Sequence, residues 1–207
     1  MHTKKTQPFL IIGLTGSIGM GKSTVAKILR GLGFPVYSAD AAVHDTLKKG
    51  GAAVIPVSRL FLGVLKRGGI DRKLLGRAVF GQPEKLHQLE RIIHPLIKKA
   101  EQDFLKKARQ AKARAAILEI PLLFETRAEK RCDITLCVTA SRAAQRARVL
   151  ARPGMTEAKF RTILARQMPT AEKRKRADYT VPTGTSLIAT EKHLRKLFGK
   201  LGLLPNS

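Results

Sequence analysis

The alternation of apolar and polar positions changes period several times along the chain, and each change marks an element. Phe9 to Leu14 is a short apolar run closed by glycines, which reads as a buried strand. From Ser23 to Leu32 the apolar residues Val25, Ala26, Ile28 and Leu29 recur with a helical period, and Gly31 and Gly33 stop the helix. Pro35-Val36-Tyr37 reads as a second, short strand that ends near Ser38-Ala39-Asp40. A helix-rich stretch follows from about Ala41 to Ala113, broken at Gly50-Gly51, Gly68-Gly69 and Pro83. Within it Leu86, Leu89, Ile92, Ile93, Leu96 and Ile97 form the core stripe of one helix. Ala115 to Ile120 and Asp133 to Val138 read as strands, and Ser141 to Ala151 and Thr156 to Gln167 as helices joined at Pro153-Gly154. Tyr179 to Val181 is a last strand and Thr190 to Leu201 a last helix. Strands alternating with helices predict a parallel sheet with helices on both faces, an α/β fold. The helical middle is too long for one crossover helix, so it predicts an inserted lobe.

Composition narrows the class. The 207 residues are 43% hydrophobic, which excludes both an acidic disordered chain and a purely basic tail. No apolar run approaches the roughly 18–20 residues that span a bilayer. The start Met1-His2-Thr3-Lys4-Lys5 is basic, but Phe9 to Leu14 is too short for a secretory core and no small-x-small site follows, so the expected location is cytoplasmic. Cys132 and Cys137, both read as lying in a strand, fit neither a CxxC redox pair nor a zinc pattern and are expected to be buried filler. Forty Lys and Arg against fifteen Asp and Glu give a net charge of +25, which points first to nucleic acid. Against that, the chain has 8 Phe, 2 Tyr and no Trp for base stacking, and none of them forms a ribonucleoprotein-type motif.

The chemistry starts at Gly16-Ser17-Ile18-Gly19-Met20-Gly21-Lys22-Ser23, which fits GxxxxGK[ST] directly after a strand and at the head of a helix. Glycines let successive N–H groups converge on one point, and the helix N-terminus adds partial positive charge. The amides from Gly19 through Met20 and Gly21 to Ser23, flanked by Gly16 and Thr24, are the candidate cradle for the ATP phosphates. Lys22 can reach the β- and γ-phosphates and the Ser23 hydroxyl can ligate Mg²⁺. No glycine triple has the GxGxxG spacing of a dinucleotide fold. A guanine-reading Asn-Lys-x-Asp is also excluded, because the sole Asn is Asn206.

Phosphoryl transfer to a hydroxyl needs a carboxylate near the γ-phosphate, and acidic residues are scarce. Asp40 stands at the expected carboxyl end of the second strand, where open α/β sheets bind ligands. It is a candidate base, with a helix N-cap as the alternative. Glu119 and Glu125 flank the end of the third strand, as contacts to metal-bound water or as partners in structural ion pairs.

These residues carry a resemblance. The glycine loop, Val36-Tyr37-Ser38-Ala39-Asp40, Leu89-Glu90-Arg91-Ile92-Ile93-His94-Pro95-Leu96 and Pro121-Leu122-Leu123-Phe124-Glu125 resemble the dephospho-CoA kinase family in order and spacing. So do Gln145-x-x-Arg148-x-x-x-Arg152, Gln167 and Ala177-Asp178-Tyr179. The resemblance implies a P-loop NTPase three-layer α/β/α core with a parallel sheet, an inserted helical substrate lobe and a small helical lid. The corresponding limits are about 7–47, 114–140 and 177–207 for the core, 48–113 for the CoA-binding lobe and 141–176 for the lid. It implies transfer of the ATP γ-phosphate to the ribose 3′-hydroxyl of dephospho-CoA, with Mg²⁺, as the last step of coenzyme A synthesis. Asp40 is then the base, Lys22 and Arg148 act on the phosphates, Arg152 adds to the ATP clamp, and His94 and Gln145 contact the acceptor.

The alternatives remain beside it. Arg148 and Arg152 are four apart on an expected helix and share a face, but eleven basic residues and two acids lie between Arg142 and Arg176, so a solvated face also explains them. His94 before Pro95 also reads as a packing residue at a helix start. Two departures stand out: Ser38-Ala39-Asp40 replaces the family's usual Asp-Ala-Asp, and Val181-Pro182-Thr183-Gly184 replaces an Asn-x-Gly-like turn by the adenine. Competing functions are another P-loop nucleoside, nucleotide or shikimate-type kinase, and a basic nucleic-acid-binding P-loop protein.

Overall fold

The computed structural model describes residues 8–204. The basic start Met1–Lys5, the outer ends of the expected core at residues 7 and 205–207, and Asn206 lie outside the described residues. Five strands form one sheet in the order β2-β5-β1-β6-β7: β1 (Leu10–Thr15), β2 (Val36–Ser38), β5 (Ala115–Glu119), β6 (Ile134–Thr139) and β7 (Tyr179–Pro182). The pairs β1–β5, β1–β6 and β6–β7 are parallel, in registers that include Leu14 opposite Glu119 and Leu136, and Thr139 opposite Pro182. Two aspartates fix the ends of this ladder. Asp133 accepts from the Ile11 N–H at 2.7 Å, and one oxygen of Asp178 accepts from both the N–H and the hydroxyl of Thr135.

The remaining elements are the helices α1 (Lys22–Gly31), α2 (Ala39–Leu47), α3 (Val54–Leu60), α4 (Arg72–Val79), α5 (Pro83–Gln110), α6 (Arg142–Leu150), α7 (Glu157–Ala165), α8 (Thr170–Arg176) and α9 (Leu187–Lys200), with a small hairpin β3 (Leu65–Lys66) and β4 (Gly69–Ile70). The chain divides into two compact units. One comprises the residues up to Tyr37 and those from Ala108 onward; the other is the insertion Ser38–Lys107.

In the first unit, Ile12, Leu14, Ile117, Leu136, Val138 and Val181 from the sheet pack with Val25 and Leu29 of α1 and Leu194 and Phe198 of α9. Phe34 and Phe198 pack as a tilted pair, with centroids 4.8 Å apart and ring planes at 58°. The insertion has its own core, centred on Val57, Ala53, Phe61 and Val64 and closed by Leu75 and Ile93.

Side-chain caps set where the site-bearing helices begin. Ser141 accepts from Ala144 N–H ahead of α6, Thr156 from Lys159 N–H ahead of α7, and Ser186 from Ala189 N–H ahead of α9. The last of these moves the start of α9 to Leu187 from the expected Thr190. The helical middle is interrupted at Gly68-Gly69 and at Pro83 as expected, and three further expectations are corrected. At the second break α4 ends at Val79 and Pro83 begins α5, as its fixed φ and missing N–H allow at a first position. His94-Pro95 lies in the interior of α5, not at a helix start. The break at Gly68-Gly69 takes the form of a hairpin, because Arg67 (φ 49°) and Gly68 (φ 81°) supply the two left-handed residues of a tight turn. Leu86, expected in the core stripe, is exposed, and Cys132 precedes β6, leaving Cys137 alone within the strand. Among the described residues no helix is long and apolar enough to cross a membrane.

Candidate functional site

β1 is the central strand, so the loop that leaves its carboxyl end, Gly16 to Gly21, emerges between the ends of β5 and β6 and runs into α1. Its conformation requires glycine at two points. Gly19 (φ +76°) lies under α6, where a Cβ would come within 2.5 Å of Val149 Cγ2 and 2.9 Å of the Gln145 carbonyl oxygen. Gly21 (φ +90°) is the N-cap of α1, and a Cβ there would meet Thr183 Oγ1 at 2.8 Å. Lys22 curls back over the loop, donating from Nζ to the Gly16 and Ser17 carbonyls. Ser23 is exposed in the first turn of α1, and Met20 is buried with its Sδ accepting from Ala140 N–H.

Side chains from the helices after β6 grip this loop from outside. Gln145 of α6, 5% exposed, donates from Nε2 to the Ile18 carbonyl at 2.8 Å. Gln167, just beyond α7, accepts the Ile18 N–H on Oε1 at 3.0 Å. Thr170, the first residue of α8, shares a 2.9 Å hydroxyl–hydroxyl bond with Ser17. Gln145, expected to contact the acceptor, is therefore engaged with the loop backbone.

On the β7 side Arg148 donates from Nη2 to the Thr183 carbonyl at 2.6 Å and from Nη1 to its hydroxyl at 3.3 Å. The same hydroxyl donates to the Met20 carbonyl at 2.7 Å. Gly21, Thr24, Arg148, Thr183, Thr185 and Leu187 line a small cleft of about 180 Å³ here. Leu187 is 65% exposed at its rim, and the cleft opens at the head of α1. A cleft with an apolar rim, hydroxyls and a guanidinium beside a phosphate-type loop suits a planar heterocycle attached to phosphates. Pro182 has no N–H to donate and stands opposite Thr139 in the ladder, but the following Thr183 N–H still donates to the Thr139 carbonyl.

Other expected residues fall as follows. α6 ends at Leu150, so Arg152 lies beyond the helix and does not continue the face of Arg148. Asp40 is exposed in the first turn of α2, and the cap position belongs to Ser38. His94 is exposed on α5. Glu119 ends β5 opposite Leu14, beside the strand that feeds the loop.

Glu125 is a structural ion-pair partner. It receives Lys173 Nζ at 2.8 Å on Oε1 and the Met168 N–H at 2.8 Å. Burial alone would raise its carboxyl, but the bonds from Lys173 and Met168 outweigh that and hold it below the ordinary value. Lys173 is fully buried and also donates to the Pro121 carbonyl. Burial pushes the Cys137 thiol up to about 11 against the opposing pull of Lys173, Arg174 and Lys22.

Among the described residues no three His, Cys, Asp or Glu side chains gather to cage a metal. The exposed Ser23 hydroxyl in the first turn of α1 is an oxygen donor that fits a hard ion taking its other ligands from phosphates and water. Sequence reasoning gave no role to Gln167, Thr170 or Lys173. A lysine inside the run Lys173-Arg174-Lys175-Arg176 carries no sign that it alone is buried.

The sequence signature of the family described as dephospho-CoA kinase matches residues 10–188. A dephospho-CoA kinase from Paramagnetospirillum magneticum is 54% identical over 164 residues, which cover 79% of this chain and 77% of the relative. One from Rhizobium meliloti is 50% identical over 192 residues, covering 93% and 98% respectively. A solved Thermus thermophilus structure superposes with a TM-score of 0.81 at 37% identity, covering 93% of this chain and 98% of the other.

Proposed function

The chain belongs to the dephospho-CoA kinase family, and on that premise we propose how its own residues divide the work. The protein transfers the γ-phosphate of ATP to the ribose 3′-hydroxyl of dephospho-CoA, giving coenzyme A and ADP in the final step of coenzyme A biosynthesis. The observation that carries the division of roles is the loop itself. Its Gly19 and Gly21 take left-handed angles, and Lys22 folds over its carbonyls at the head of α1.

The amides of Gly19 to Ser23 receive the ATP phosphates, and Lys22 exchanges its carbonyl partners for β- and γ-phosphate oxygens. The adenine lies in the cleft of Thr24, Thr183, Thr185 and Leu187, with Arg148 between base and phosphates. There its planar fork suits either partner. Asp40 takes the proton of the ribose 3′-hydroxyl as that oxygen attacks the γ-phosphorus. The bond from phosphorus to the β–γ bridging oxygen breaks, and ADP leaves with the electron pair. Mg²⁺ supplies charge neutralisation on the β- and γ-phosphates when bound. Ser23 would hold it, and Glu119 would orient its water. His94 and the insertion serve the acceptor, and Arg152, outside the helix, adds charge to the ATP clamp. ATP and dephospho-CoA are both polyanions, which a chain of net charge +25 attracts from solution. Such substrates do not cross a bilayer unaided, which suits a cytoplasmic enzyme.

Coupled ADP release tests the acceptor, with dephospho-CoA compared against AMP and adenosine. The expected outcome is a kcat/KM for dephospho-CoA well above the others. Equal or faster turnover of AMP overturns the reading.

A further inference from the structure

Both polar groups of one residue in the glycine loop are held by carboxamides from different elements. Gln145 Nε2 donates to the Ile18 carbonyl, and Gln167 Oε1 accepts the Ile18 N–H. Because a carbonyl accepts and an N–H donates, these partners leave only one orientation for each amide. The two contacts fall on different peptide planes. The Ile18 carbonyl shares a rigid trans unit with the Gly19 N–H, which points the opposite way. The Ile18 N–H likewise shares a unit with the Ser17 carbonyl. That carbonyl accepts from Met20 N–H at 3.2 Å and from Lys22 Nζ at 3.5 Å.

We infer that Gln145 and Gln167 are positioning residues for phosphoryl transfer: Gln145 aims the Gly19 N–H into the phosphate cradle, and Gln167 aims the Ser17 carbonyl that orients Lys22. Gly19 is where such control is needed, since a glycine at φ +76° permits its flanking peptides to rotate. The missing side chain also lets α6 approach closely enough for Gln145 to reach the loop. One glutamine belongs to α6 and the other follows α7, and Thr170 at the head of α8 adds the bond to Ser17. The three helices after β6 therefore set the shape of the loop after β1. This inference rests on reading that loop as the ATP cradle.

The test uses the direction of each hydrogen bond. Gln145→Glu and Gln167→Glu add the same charge beside the same residue, so charge cancels between them. Glutamate keeps the acceptor that Ile18 N–H needs from position 167 but loses the donor that the Ile18 carbonyl needs from position 145. Gln145→Glu, Gln145→Met and Gln167→Met are expected to raise the KM for ATP about tenfold, the loss of one well-placed bond. Gln167→Glu is expected to stay within about threefold of the parent, and the KM for dephospho-CoA to stay unchanged in all four. Equal effects of the two glutamate variants, or a parallel rise in both KM values, overturns the inference. If a position-145 variant does not fold, the contrast between Gln167→Met and Gln167→Glu decides alone. Lys22→Ala separates the two levels. If it leaves ATP turnover intact, the cradle reading itself fails. If it abolishes turnover while the glutamine variants behave as the parent, only the positioning role fails.

Discussion

Arg148 and Thr183 are joined twice, guanidinium to carbonyl at 2.6 Å and guanidinium to hydroxyl at 3.3 Å, and the same hydroxyl is anchored on Met20 of the glycine loop. The helix after β6, the turn after β7 and the loop after β1 therefore meet at one side chain. A lysine in place of Arg148 offers a point charge and cannot grip two atoms of Thr183 at once. Arg148→Lys is expected to lower kcat/KM for ATP by about 10- to 100-fold, with dephospho-CoA saturating. Near-parental kinetics would exclude Arg148 from the ATP site.

Asp40 is exposed in the first turn of α2 and is not its cap, so removing its charge spares the capping of that helix. Asp40→Asn is expected to cut kcat by about 10²- to 10⁴-fold, while the Kd for ATP, measured calorimetrically, stays close to the parent value. Retained turnover would remove Asp40 from the role of base.

The Glu125–Lys173 pair makes a pH-dependent contribution to stability. The folded carboxyl lies below its ordinary value near 4.5, so its contribution is complete above that pH and disappears as pH falls through the depressed value. Lys173→Met leaves Glu125 without its cation and is expected to cost about 3 kcal/mol at pH 7. That is the low end for a broken buried pair, because Glu125 keeps some contact with solvent. Denaturant titrations should show the gap between parent and variant narrowing below about pH 4.5, and a gap that widens on acidification contradicts the assignment.

Cys137 is buried in β6 with its thiol pushed up to about 11, so almost none is thiolate near neutrality. Iodoacetamide at pH 8 is expected to leave it unmodified in the native protein and to label it after denaturation, as read by peptide mass mapping. Fast native labelling would mean that β6 opens readily.

The main-sheet strands were legible because burial on both faces leaves short apolar runs with little else they can be, as at Leu10–Thr15 and Ala115–Glu119. The glycine loop was legible because its chemistry is local. What stayed hidden depends on distant partners. The hairpin at Leu65–Ile70 turns on a left-handed Arg67, which composition does not announce. α8 reads as a charged run, because its docking residues Thr170 and Lys173 bond to Ser17, Glu125 and Pro121, none of them near in sequence. Gln145 and Gln167 stood out in the sequence as residues of the family pattern, but their common partner Ile18 comes to them only through the fold.

The register of the central strand also sets an order of assembly. β1 leaves the ribosome first, yet it lies between β5 and β6, with Leu10 waiting for Ala115 and Ile12 for Ile134. The insertion, Ser38–Lys107, is one uninterrupted stretch with its own core and emerges complete before either partner strand exists. During synthesis the helical unit is therefore free to fold while the apolar strand beneath the ATP loop remains unpaired. A ribosome stalled before β5 holds a nascent chain in which that apolar strand still lacks both of its partners.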